Sequence, residues 1–151
     1  MLRWLLWTDG SVAGLVLRLT LAVVIFPHGA QKVLGWFGGH GFTNTLKFFT
    51  DAGIPTALAL LAMAAEFLGP LGLAVGLLTR VAAFGIACVM LGAIVTVHWP
   101  YGFFMNWEGT QQGEGFEYHL LALGIAIALI TMGGGAWSID RALSTATPRT
   151  R

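Results

Sequence analysis

Four stretches of almost unbroken apolar residues alternate with short polar or glycine-rich segments along the 151-residue chain. They cover about 11–34, 54–78, 82–98 and 116–132. A helix rises 1.5 Å per residue, so about 20 apolar residues cross the hydrocarbon core of a bilayer. The pattern therefore predicts four spanning helices. Small residues recur at helical spacing in three of them. These are Ala62, Glu66, Gly69, Gly72 or Leu73 and Gly76 in the second run, and Gly85, Cys88, Gly92 and Thr96 in the third. Glu117, Gly124, Ala128 and Thr131 form the stripe of the fourth. Small residues let helix backbones approach closely, so these stripes are expected to face inward. The fold class expected is an all-α membrane protein: a four-transmembrane-helix antiparallel bundle in a single domain over 1–151, with both termini cytoplasmic.

Composition agrees with a bilayer as solvent. Hydrophobic residues make up 56% of the chain and charged residues 10%, against about 25% charged in a typical soluble domain. Mean hydropathy is +0.77. The net charge of +1 offers no basic face, so nucleic acid is not an expected partner. The single cysteine, Cys88, excludes an internal disulfide and a CxxC relay. The first apolar run begins after Asp9 and is too long for a signal-peptide core, so it reads as a retained helix. Arg3, Arg80, Arg141, Arg149 and Arg151 fall at one end of the expected bundle, and the positive-inside rule makes that end cytoplasmic. The loops 35–53 and 99–115, rich in aromatic residues and glycine, then face outward. A short surface helix is expected around 43–51.

Ionisable residues inside the spans carry the candidate chemistry. An intramembrane charge is disfavoured by roughly 2.5–3.5 kcal/mol on the insertion scale and demands a partner. Arg18 and Glu66 both lie in the middle of their runs and are expected to pair. Pro70 has no N–H to give the Glu66 carbonyl, which should stay free beside a kink. His28 and Lys32 are one turn apart at the outer end of the first helix. His98 closes the third run, and its direction stays open because its helical angle lies roughly opposite the small stripe. Glu117 and His119 open the fourth span and point to nearly opposite sides. Glu117 is the one expected to face inward, because it follows the small stripe. Structural readings stand beside these: a register-fixing ion pair for Arg18 and Glu66, snorkelling for Lys32, and a surface position for His40.

Aromatic loops packed over such a cleft suit a flat apolar ligand, for which a quinone head group is the favoured reading. Haem held by His28 and His98 is disfavoured, since no CxxCH motif supports it. No metal is predicted, as neither HxH nor CxxC spacing occurs.

Three blocks carry a resemblance: HGAQKVLGWFGG at 28–39, EFLGPLGLAVGLLTRVAA at 66–83 and HWPYGFFMNWEGTQQGEGFEYHLL at 98–121. In this order and spacing the chain resembles the DoxX family of small four-helix membrane proteins. The resemblance implies a multi-pass protein of the prokaryotic inner membrane associated with redox complexes, among them relatives that are subunits of thiosulfate:quinone oxidoreductase. It assigns no catalytic role to any single residue.

The functional expectation is a membrane redox subunit that binds a quinone, or docks a periplasmic redox protein, at the outward end of the bundle. His28 and Glu117 would exchange protons, and Lys32, Glu66, Arg18 and His98 would line the ligand. Two other readings accompany it: a non-enzymatic assembly or anchoring subunit that binds other membrane subunits, and a small-solute carrier.

Overall fold

The computed structural model describes residues 2–146. Arg149 and Arg151 of the expected basic tail, and the side chain of Arg3, lie outside the described residues. Among the described residues the chain is all helical, with seven α-helices. They are α1 (Leu2–Leu6), α2 (Val12–Val33), α3 (Gly41–Asp51), α4 (Thr56–Val75), α5 (Thr79–Ala93), α6 (Glu117–Met132) and α7 (Ile139–Ala146). Beyond α5 the helix continues as a π-turn, Ile94–His98, and a 3-10 turn, Trp99–Tyr101. Three stretches are long and apolar enough to cross a membrane: Val12–Val33, Thr56–Val75 and Thr79–Tyr101. The fourth expected run forms the shorter apolar helix α6.

Helix ends follow local chemistry. The Ser11 hydroxyl accepts from Gly14 N at 3.1 Å and caps α2, the ordinary use of serine at that position. Gly76 turns left-handed (φ 68°) and closes α4, with Leu77 N donating to the Gly72 carbonyl at 2.8 Å. The start of α5 has no cap of its own. Asp140, from beyond α6, supplies one: its two carboxylate oxygens accept from Leu78 N and Thr79 N, each at 2.8 Å. A carboxylate on a helix N-terminus satisfies orphan donors and complements the dipole. It also holds Leu78 at φ 49°, a left-handed conformation that a leucine adopts only under constraint.

α2 packs on α4, α4 on α5, α5 on α6, and α6 returns to α2. The centre is filled by Leu21, Ile25, Leu73, Ile86, Met90 and Leu129, with alanines at the closest approaches. Large apolar side chains such as Val16, Leu61, Phe84, Val95 and Leu121 point outward. That surface is the expected dress of helices facing acyl chains. α1, the α4–α5 turn and α7 gather at one pole. The segments 34–55 and 99–116 form the other.

Two expectations about orientation are corrected. On α4 the small stripe does turn inward: Glu66, Gly69, Leu73 and Gly76 are buried. On α5, Cys88, Gly92 and Thr96 are exposed, and on α6 so are Gly124 and Thr131. The inward face of α6 is instead His119, Ala122, Ala126 and Leu129. Lipid is as apolar as a helix interior, so small residues alone do not say which face turns in.

Arg18 does not meet Glu66. It lies near the pole of the chain ends, about 21 Å below Lys32 along α2 at 1.5 Å per residue. Its guanidinium donates to five backbone carbonyls, of Leu73 (2.8 Å), Ala74 (2.6 Å), Gly134 (3.0 Å), Ala136 (3.4 Å) and Trp137 (2.9 Å). Asp140 is within electrostatic reach. Arg18 is thus a clamp across the ends of α4 and α6. Arg80, buried at the same pole, donates to the carbonyls of Ile130 and Trp7 and stacks over Trp4 and Trp7.

Candidate functional site

The opposite pole holds the polar cluster. Lys32, in the last turn of α2, reaches Glu66 across the α2–α4 contact, and its ammonium lies 3.0 Å from each carboxylate oxygen. Glu66 is 7% exposed at its side chain and Lys32 26%. Glycine makes this reach short: a Cβ on Gly29 would stand 2.7 Å from Phe67 Cα and closer still to the Glu66 carbonyl. That is the carbonyl to which Pro70 can offer no N–H. The missing Cβ of Gly29 therefore seats one helix on the other.

α6 brings Tyr118 and His119 to the same region. The His119 ring is buried, with its centroid 4.0 Å from that of His98. The Tyr118 ring lies 6.2 Å from His28 and 5.2 Å from His119. His98 reaches this position through the π-turn, whose wider winding departs from α-helical register. Its Nδ1 is 2.8 Å from the Glu114 carbonyl. A carbonyl only accepts, so Nδ1 carries the hydrogen, and in the neutral ring Nε2 is an acceptor. Two atoms here are buried with no hydrogen-bond partner among the described residues: the Tyr118 hydroxyl and His119 Nδ1. Buried polar groups are nearly always satisfied, so such a pair marks a place for a ligand or water.

These side chains line one end of a crevice of about 1790 Å³. His28, Lys32, Glu66, His98, Tyr118 and His119 form its polar end, with Met105 and Glu114 from the outer loop. The remainder is almost wholly apolar and runs along α4 and α5. The ion pair in this lining, Lys32 with Glu66, is internally neutral. The arrangement can donate to and accept from an uncharged polar head, and its imidazoles can pass protons.

Of the residues expected to act together, the structure gathers His28, Lys32, Glu66 and His98. It does not bring in Arg18 or Glu117. The Glu117 carboxylate turns into the outer loop, where it accepts from Met105 N at 3.1 Å and Trp107 Nε1 at 3.0 Å. The loop offers it two donors, one backbone amide and one indole N–H, whereas the inward face of α6 belongs to His119. Tyr118 and His119 are the members that sequence reasoning missed. Their signal was the spacing of His119 with Ala122, Ala126 and Leu129. Asp140 was missed too, because its targets are backbone amides that no side-chain motif betrays.

The DoxX family model matches residues 13–99. The chain is 32% identical over 119 residues to a protein of Bacillus subtilis (strain 168) named "Putative oxidoreductase CatD", covering 79% of each chain. No solved structure gives a significant match.

Proposed function

The chain belongs to the DoxX family of membrane proteins, and we propose that it is a redox-associated subunit binding a quinone at the polar end of the crevice. Four antiparallel spans of the prokaryotic inner membrane, with both termini cytoplasmic, complete this reading. The grouping of arginines at the pole of the chain ends supports that orientation. The observation that carries the binding proposal is the pair of unsatisfied buried atoms, Tyr118 Oη and His119 Nδ1, at the head of an apolar crevice. A quinone has hydrogen-bonding oxygens on an apolar body and fits both requirements. The oxidoreductase name of the Bacillus subtilis relative accords with it.

In this role Tyr118 and His119 hold the head-group oxygens. His28 and His119 exchange protons at their ring nitrogens, and His98 orients His119 by contact. Lys32 and Glu66, paired across the two helices, form a neutral wall beside the head group. A bound quinone supplies the electron-accepting chemistry. Arg18 keeps the supporting helices in place from the far pole, and Glu117 holds the loop over the site.

Equilibrium binding of a tail-less quinone to the purified protein tests the proposal. His119→Gln and Tyr118→Phe should each weaken binding about tenfold, the scale of one hydrogen bond to a buried group, with thermal stability retained. Equal affinity of wild type and both variants would sink it.

A second reading rests on the exposed aromatic side chains Trp36, Phe104 and Trp107 of the outer segments. Exposed aromatics mark docking surfaces, and here they would receive a periplasmic redox protein or a neighbouring subunit. Substituting all three by serine should abolish co-purification of that partner while leaving quinone binding unchanged.

A further inference from the structure

The crevice does not end at the polar cluster. It continues as a furrow down the outside of the α4–α5 hairpin as far as Leu77 and Leu78. Its floor is made of small residues, Ala65, Gly69 and Gly72 on α4 and Ala82, Gly85 and Gly92 on α5. The two helices touch there so closely that a Cβ on Gly85 would stand 3.1 Å from that of Ala65. From His98 to Leu78 the furrow follows α5 for about 30 Å at 1.5 Å per residue, roughly the thickness of the hydrocarbon core. At its head sits His119, 7% exposed, with Nδ1 unpartnered among the described residues.

A polar head joined to a long apolar slot open toward the acyl chains selects an amphiphile. The charges select which one. Lys32 is neutralised by Glu66, and the further ionised group at the rim, the Glu114 carboxylate, is an acceptor engaged with Asn106 N at 2.7 Å. Among the described residues a phosphate would meet no unpaired cation there. An uncharged head with hydrogen-bonding oxygens meets His119, Tyr118 and His98. We infer that the furrow between α4 and α5 holds the prenyl chain of a long-tailed quinone, which enters sideways from the bilayer and places its head against His119. This inference rests on the quinone reading above and adds the tail site and the route of entry.

Gly92 offers the means to test it. A Cβ at Gly92 meets nothing within 4 Å, so Gly92→Leu narrows the furrow without straining the helix. Gly124 on α6 is equally open but lies away from the furrow, which makes Gly124→Leu the matched control. The full chain in phospholipid nanodiscs is given a prenylquinone bearing a photoreactive group at the tail end, or a tail-less quinone. Adducts are expected at the far end of the furrow, on residues 71–82, with affinity at least tenfold higher for the tailed ligand. Gly92→Leu should remove that difference and Gly124→Leu should keep it. Equal binding of both ligands, unchanged in Gly92→Leu, would overturn the tail site while leaving the head site standing. Adducts spread over α6 as densely as over α5, or competed away by added phospholipid, would make the furrow a seat for ordinary lipid and overturn the inference. Failure of both ligands to bind would remove the quinone reading itself.

Discussion

Gly29 on α2 bears directly on the backbone of Glu66 on α4, leaving no room for a methyl group between them. This contact sets the distance over which Lys32, one turn further along α2, reaches the Glu66 carboxylate. Gly29→Ala should therefore part the two helices. Overpacking of this kind destabilises by about 1–3 kcal/mol or more. The expected result is a lower unfolding temperature in detergent together with weaker quinone binding, from a substitution that touches no ligand.

The Lys32–Glu66 pair should respond asymmetrically. Removing one partner of a buried pair destabilises by about 3–5 kcal/mol because the other charge is stranded. Glu66 is the more buried of the two, so Lys32→Met strands a carboxylate deep in the protein. Glu66→Gln strands an ammonium that can swing toward water. Lys32→Met should lower stability clearly more than Glu66→Gln when both are measured by chemical denaturation in the same detergent. The reverse order would show that the ammonium is the trapped charge.

Arg18→Lys should not rescue the arginine clamp. The guanidinium spans carbonyls on two separate segments, 73–74 and 134–137. An ammonium is a compact point donor and lacks that fork. Both Arg18→Lys and Arg18→Met should sharply reduce the yield of folded protein. The fraction that folds should bind quinone normally, since the clamp lies at the far pole. Loss of affinity in folded Arg18→Lys would place Arg18 in the site after all.

Glu117→Ala should free the outer loop. Its carboxylate holds Met105 N and Trp107 Nε1, and losing a charged acceptor from two donors is worth about 1.5–3 kcal/mol locally. Faster amide exchange and proteolysis between 102 and 116 are expected. Tail-less quinone should still bind, in contrast to His119→Gln.

The legible and illegible parts of this molecule divide along a physical line. The helices and the inward turn of Glu66, Gly69 and Gly76 could be read because length, apolar composition and a buried carboxylate are local properties. The neighbourhood of His28 and Lys32 followed from their shared face. Helix rotation was not legible for α5 and α6, since an acyl chain and a helix interior present the same solvent to a side chain. There the small residues Gly92 and Gly124 misled, and with them the choice of Glu117 over His119 as the inward residue. The π-turn that redirects His98 leaves no mark in the apolar run IVTV. The partners of Arg18 are carbonyls, which every residue possesses and no sequence pattern singles out.

The arginine clamp also imposes an order on biosynthesis. Arg18 lies on α2, and Gly134, one of its acceptors, is 116 residues further along. At about 5–20 residues per second, roughly 6–23 s separate the two. During that interval the nascent chain carries a guanidinium whose shell of carbonyls is incomplete. That shell closes only once the segment 134–137, which carries three of the five acceptor carbonyls, has been made.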